Sequence, residues 1–492
     1  MKNITLCSFF LAMSLTIGHG WAADASPENS SAVVSDDDKF AAFLSKCRSQ
    51  YAETDERIDH AGVRDAGYYR IPGFPYLRTD RLMSSYRDAL IDLNTLGTWM
   101  LQLRENDSIA RDIELTNLGM PKYERAALLN DLRVCAVWLS YADLDDAPTK
   151  QRLLEAARVP DEYADGAPKQ NKTLREVVSS RRAAVVAEFS RPLNPVANTV
   201  LWHIEHPADE ASLPHGFSDV ARDELGRVGL LMNVWPELAA KHAPQILLET
   251  ESDHDALGTP VIGARGPAID TGKAVVYYLP GYARVNGRTL VQLEYFVWFP
   301  TASGELDGLI WRVTLDERGE PLLYDTIRGS GFDPLWFPAQ ALKSRKSAER
   351  ESLLIPQVRM PVAPFALRLQ SASHVPQRLI AIEASGTPQS RSYELRPYED
   401  LLTLPMPEGG TRSLFDADGI VLGTEPTDSH QYEAMGVKHA GALRQWGRHA
   451  ISLQSRLHFD DPRLIESLFD ISAPATQKRR RHRVSAESPA TP

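Results

Sequence analysis

Apolar residues along this chain keep two different spacings. From residue 37 to about 244 they recur every three or four positions, the period of a helix with one buried face. That spacing predicts helices over 37–52, 79–104, 121–142, 149–157, 172–190, 218–226 and 235–242. Ser35 before Asp36, Asp37 and Asp38 supplies a cap and negative charge where the first helix begins. Pro121 and Pro236 fall in first-turn positions, where a missing N–H costs nothing. Residues 68–78 (YYRIPGFPYLR) interrupt the pattern: two prolines forbid a helix, and an aromatic, ordered connection is expected.

Near residue 245 the period falls to two, the alternation of a strand. Strands are predicted at 274–285, 288–299, 308–316 and 320–328, joined as an antiparallel meander. Asn286-Gly287 is the strongest turn signal, because both residues tolerate positive φ in a two-residue hairpin. Residues 317–319 close a later hairpin. Further strands are expected at 246–251, 366–370, 378–384 and 391–396, polar loops at 341–351 and 385–392, and helices at 439–456 and 462–470. The architecture expected is α+β: a mainly helical region 37–244, a β-rich region 245–425 built on the antiparallel meander, and a C-terminal helical segment 426–471. No internal repeat is present.

The termini depart from both periods. Residues 1–25 have the form of a cleaved export signal: one lysine, an apolar run from 4 to 17, then small residues around Ala22, Ala23 and Ala25. The run is shorter than the roughly 20 residues a spanning helix needs, so no transmembrane helix is expected in the mature chain. Residues 26–36 read as a disordered leader. The stretch 472–492 reads as a disordered tail, its basic cluster 478–483 as a solvated end. The expected location is the periplasm or the medium.

Export changes the meaning of the three cysteines. Cys7 leaves with the signal, and Cys47 and Cys135 remain, an even pair in an oxidising compartment. Both sit at core positions of predicted helices. A bridge between them, worth about 4–5 kcal/mol in the chain-entropy model, competes with two separate buried thiols.

Composition adds exclusions. With 54 Lys and Arg against 65 Asp and Glu, the net charge is −11, so no nucleic-acid partner is expected. The CxxC, zinc-finger, His-Glu-x-x-His, P-loop and Gly-x-Ser-x-Gly spacings are all absent. The cofactor is left open.

Three groups of residues carry candidate chemistry. The first follows from hairpin register. With Asn286-Gly287 at the turn, Glu294 faces Leu279 and shares a face with Tyr277, Phe296 and Trp298, while the other face is also apolar. Glu294 is therefore expected to be buried, with Arg312 of the next strand as partner. Asp325 is set among apolar residues in the same way. The structural reading is an internal ion-pair network; the functional reading is an acid or base with a displaced pKa in a cleft.

The second group is aromatic. Twelve of the 61 residues in 277–337 are aromatic, against 8% overall. Tyr69, Phe74, Tyr76, Trp298, Trp311, Phe332 and Trp336 are the candidates for a binding surface, between the 68–78 loop, the sheet and the loop 328–334. Packing in a core is the competing reading. The third group is the C-terminal set His430, Glu433 and His439, weak metal-ligand candidates. An acidic run, Glu249, Glu251, Asp253 and Asp255, lacks the EF-hand spacing and reads as a solvated loop. Together these features predict an exported protein that binds a ligand or an envelope partner, with a hydrolase using the buried carboxylates or a histidine-held metal as the alternative.

Overall fold

A computed structural model of the chain describes residues 35–159, 198–345, 364–382, 389–425, 439–448 and 457–471, with isolated helical positions at 176, 180, 183 and 187. The stretches read as export signal, leader (up to residue 34) and tail, together with His430, Glu433 and most of the predicted helix 172–190, lie outside these residues.

The N-terminal region is helical. Helix α1 (Asp36–Ala61) starts where expected, with the Ser35 hydroxyl accepting from the Asp38 N–H, and ends on Gly62 in the left-handed region. The aromatic segment 68–78 is a small hairpin, β1 (Tyr69–Ile71) and β2 (Phe74–Thr79). The single helix predicted over 79–104 is instead two. Asp80 caps α2 (Arg81–Tyr86), and Asp92 with Thr95 forms a capping box that opens α3 (Leu93–Asn117). Then come α4 (Lys122–Asp145) and α5 (Ala147–Ala156). Cys47 of α1 and Cys135 of α4 are joined by a disulfide, with Cα atoms 5.3 Å apart. Around it pack Tyr51, Tyr76, Trp99, Leu103 and Leu132.

The helix expected at 218–226 is a turn. The Asp223 carboxylate accepts the N–H groups of Leu225 and Arg227, giving the backbone a local alternative to helical bonding. A short helix, α6 (Val234–Lys241), follows.

The remaining elements build one large sheet. Its strands are β3 (Thr199–Ile204), β4 (Ile246–Glu249), β7 (Val275–Val285), β8 (Arg288–Pro300), β9 (Leu306–Leu315), β10 (Pro321–Arg328), β11 (Leu335–Pro338), β13 (Phe365–Leu369), β14 (Pro376–Ala381) and β15 (Gln389–Pro397). Small ribbons complete the strands: β5 (Thr259–Gly263) with β6 (Gly266–Asp270), β12 (Leu342–Ser344) with β18 (Phe469–Ile471), and β16 (Leu404–Pro405) with β17 (Thr411–Arg412). The order in the ten-stranded sheet is β11-β10-β9-β8-β7-β15-β3-β4-β13-β14.

The expected meander is present from β7 to β11, and Val285 pairs with Arg288 across Asn286-Gly287 as the register required. The α+β class holds, but the sheet as a whole is mixed and the antiparallel meander is only part of it. Strand β15 runs parallel to both β3 and β7, and β13 runs parallel to β4. Strand β3 falls within the stretch expected to be helical; its half-buried alternation spans only six residues, too short to outweigh its surroundings.

The sheet curls until Tyr324 of β10 meets Phe365 of β13, ring centroids 5.2 Å apart. Its concave face holds Tyr295, Val313, Trp202 and Leu367. Its convex face carries Tyr277, Phe296, Ile310 and Trp336, covered by the C-terminal segment through Tyr398, Phe415, Leu443 and Phe459. Of the two helices expected there, 462–470 yields only the five-residue α7 (Leu464–Leu468) before β18. The described part of 439–456 is a run of turns, broken by Gly441 and Gly447 at φ 88° and 94°. No helix among the described residues is long and apolar enough to cross a membrane.

Candidate functional site

The convex face of the sheet brings the predicted carboxylates into one row. Leu279, Glu294, Arg312, Asp325 and Trp336 are successive cross-strand neighbours on β7, β8, β9, β10 and β11. The pairing within the row differs from expectation. Arg312 forms a two-pronged bond with Asp325, Nε to Oδ1 at 2.9 Å and Nη2 to Oδ2 at 2.6 Å. Its third arm donates to the Phe459 carbonyl, and its plane lies 4.1 Å from the Phe459 ring centroid. These three bonds of the guanidinium go to Asp325 and Phe459, while Glu294 is 1% exposed and its Oε2 accepts no hydrogen bond. Glu294 is therefore a buried carboxyl beside an ion pair, not a member of it.

Removal from water penalises the charged form of Glu294 and pushes its pKa up to about 8, with Asp325 adding to the rise and Arg312 opposing it. Its carboxyl group stands directly over Gly281 of β7. A Cβ there would lie 2.8 and 2.9 Å from the two Glu294 oxygens, so only glycine leaves the group its place.

Glu294 lines a cavity of about 260 Å³ between the convex face of the sheet, the helical region and the C-terminal segment. Four distant stretches build it. From the sheet come Leu279, Pro280, Gly281, Tyr282, Gln292 and Glu294. From the helical region come Asp65, Tyr68, Asp80, Arg81, Gln102 and Asn106; Arg227 belongs to the 218–230 turn; and Tyr398, Gln445, Trp446 and Asp460 are C-terminal.

Most of these polar groups are already engaged. Asp80 accepts the Met83 N–H at 2.6 Å as the α2 cap, and the Asn106 amide at 3.3 Å. Asp65 accepts from the Gln445 amide at 2.6 Å and the Tyr68 N–H at 3.2 Å. Burial raises the pKa of both aspartates despite these donors. Arg81 lies 3.1 Å from Asp460, and Arg227 donates to Asp223 at 2.7 Å and to the side-chain Oε1 of Gln102 at 2.6 Å. The chamber therefore has an acidic lining, with cations already matched by neighbouring carboxylates.

The other sequence candidates lie elsewhere. Tyr69, Phe74, Tyr76, Trp298, Trp311, Phe332 and Trp336 are between 0% and 8% exposed, and none lines the cavity. They serve as interior packing. The aromatic groups that do face the chamber are Tyr68, Tyr282, Tyr398 and Trp446. His439 pairs with Glu425 at the surface, while His430 and Glu433 lie outside the described residues. Among the described residues no group of three or more His, Cys, Asp and Glu side chains is placed to hold a metal ion. In the acidic run, Glu249 pairs with Arg368 and Asp255 accepts the N–H groups of Glu251, Ser252 and Ala372.

Residues not singled out from sequence complete the site. Asp65, Asp80, Asn106, Gln445 and Asp460 come from separate stretches; only Asp80, just ahead of a helical pattern, carried a signal, as a cap. A second buried set was also missed. His374, 2% exposed, sits between Asp255 at 3.5 Å and Asp307 at 3.4 Å and stacks on Phe299. No protein-family model, curated protein or solved structure matches the chain.

Proposed function

We propose that the protein is exported and binds a small ligand in the cavity over Gly281, with Glu294 as its recognition group. The observation that carries this reading is the unsatisfied Oε2 of Glu294 in the wall of the chamber. Burying a carboxyl oxygen with no hydrogen-bond partner costs about 1–3 kcal/mol, a cost that a bound partner offsets. The chamber lies where the helical region, sheet and C-terminal segment meet, the usual setting of small-molecule sites. Export is supported by the leader pattern and by the Cys47–Cys135 bridge, which suits an oxidising compartment.

One observation favours a second reading. A carboxyl whose pKa is pushed up to about 8 holds its proton at neutral pH and can deliver it to a leaving group. A hydrolase with Glu294 as general acid would use the same chamber.

Native mass spectrometry of the protein purified from its own cells tests the first reading. The expected mass lacks the leader through Ala23 or Ala25, is lower by two hydrogens for the disulfide, and carries a dissociable small molecule. Recovery from the cytosol with Met1 attached would overturn export. If Glu294→Gln binds the recovered molecule but no longer converts it, the hydrolase reading takes over.

A further inference from the structure

The charge around the cavity narrows the class of ligand. Among the described residues five carboxyl groups line it, those of Asp65, Asp80, Glu294, Glu399 and Asp460, against the two guanidinium groups of Arg81 and Arg227. Both arginines already have carboxylate partners, in Asp460 and Asp223. Arg312, the nearest cation behind Glu294, is committed to Asp325 and Phe459. Among the described residues both positive groups of the lining already face a carboxylate, and an anionic ligand would also face several acids. A neutral polyol could satisfy Glu294 but would leave the acidic excess unmatched.

A cation meets both conditions. Glu294 Oε2 is a buried oxygen of the lining with no donor, and it needs an N–H or O–H directed at it from the chamber. The remaining walls suit an apolar body: Leu279, Ile113 and Leu402 are aliphatic, and Tyr398 and Trp446 offer ring faces that favour a positive charge. We infer that the cavity takes a small primary ammonium ion with a short apolar body, its N–H groups donated to Glu294 Oε2. This rests on the small-ligand reading above and gives it a substrate class.

The inference carries a proton balance. In the empty chamber the Glu294 proton is retained, because burial outweighs the pull of Arg312. An ammonium ion alongside stabilises the carboxylate, so the proton leaves for solvent as the ligand enters. Near neutral pH each binding event therefore releases about one proton. The acids of the opposite wall, Asp80 and Asp65, keep their Met83, Asn106, Gln445 and Tyr68 donors throughout, and Glu294 is the group that changes state.

Calorimetry on the full mature chain tests this with n-pentylamine, 1-pentanol and pentanoate, each in two buffers of different ionisation enthalpy. Wild type is expected to bind the amine at least tenfold more tightly than the alcohol, reject the pentanoate, and release close to one proton per amine bound. Glu294→Gln is expected to bind amine and alcohol within about twofold of each other, with no proton release. Equal affinity for amine and alcohol in wild type, or preference for pentanoate, would overturn the ammonium assignment and leave the chamber standing as a ligand site. Binding of none of the three would overturn the assignment and the ligand-site reading together. The wild-type comparison stands alone if the variant folds poorly.

Discussion

Two buried charge clusters lie close together in this molecule and have opposite character. In the helical region, Arg78 gives its Nη1 and Nη2 to the two oxygens of Glu114, both at 2.7 Å, and its Nε to Asp107 at 3.1 Å. Arg111 gives its Nε to Asp107, its Nη1 to Asp55 and its Nη2 to the Pro75 carbonyl. These donors and acceptors are matched within the cluster. On the sheet, Arg312 and Asp325 are matched to each other in the same way, and Glu294 beside them is left over. Burial is equal in the two places: Glu114 is 0% exposed and Glu294 is 1% exposed. What separates them is completeness of pairing. A closed cluster holds helices and hairpin in place, whereas an incomplete one beside a cavity asks for something from outside. The two are mechanically linked, since Glu114 also accepts the N–H of Asp65, whose carboxylate forms the cavity wall and holds Gln445.

The largest effect is expected where pairing is complete. Arg78→Met removes one partner and leaves Glu114 and Asp107 buried against an apolar chain. Breaking a buried pair in this way costs about 3–5 kcal/mol. Denaturant unfolding at neutral pH measures it. A cost below about 1 kcal/mol would show that the network is not closed and would dissolve the contrast with Glu294.

This closed cluster also marks the limit of what sequence patterning carries. Helix α3 runs to Asn117, although hydrophobic periodicity ends it near 104. Its second half buries Asn106, Asp107, Ser108, Arg111 and Glu114. A buried face made of polar residues looks, in the sequence, like a solvated one, because burial is signalled there by apolarity. Period-two alternation and a two-residue turn, by contrast, are local. They placed β7 and β8 in register and put Glu294 inside, opposite Leu279. They did not say that Arg312 would choose Asp325, since that choice depends on which way the guanidinium is drawn by Phe459, 147 residues away. The cavity was illegible for the same reason, its walls coming from stretches as far apart as Asp65 and Asp460. Aromatic density left two readings open. Large rings at strand positions suit a binding surface or a core equally in sequence, and the sheet, covered on both faces, absorbs them as core.

An intermediate effect is expected from Glu294→Gln, and its sign depends on pH. The folded-state pKa of Glu294 is raised to about 8, above its ordinary 4.5. The folded protein therefore holds a proton that the unfolded chain gives up. Stability from this group is full below about pH 4.5 and declines as pH rises from there to about 8. The decline is on the order of a few kcal/mol. Glutamine is isosteric and does not ionise, so the variant loses this slope. It is expected to match wild type near pH 5 and to exceed it at pH 8.5, measured by urea unfolding at each pH. The outcome that sinks the comparison is a variant tracking wild type across the range, because Glu294 would then be as compensated as Glu114.

The smallest effect is the most local, and it tests geometry rather than charge. Gly281→Ala places a methyl group 2.8–2.9 Å from both Glu294 oxygens and 3.2 Å from its Cδ, closer than atoms of this kind pack. The backbone at Gly281 is not among the positive-φ positions, so alanine brings no conformational penalty of its own. The carboxyl must therefore move, and the strand behind it leaves the chamber as the open direction. Overpacking of this kind costs about 1–3 kcal/mol, and the lower end is expected because a side chain terminus yields more easily than backbone. Moved into the chamber, the carboxyl meets Asp80 and Asp65 more closely and loses the position from which it receives a ligand. Thermal unfolding should fall slightly while pentylamine affinity drops at least tenfold. The same methyl group placed at Gly97, an exposed helical glycine with no atom within 4 Å of the new Cβ, should raise stability by up to about 1 kcal/mol and leave pentylamine affinity unchanged. If Gly281→Ala behaves like Gly97→Ala, the Glu294 carboxyl does not stand over β7, and the incomplete cluster loses the one contact that fixes where its unsatisfied oxygen points.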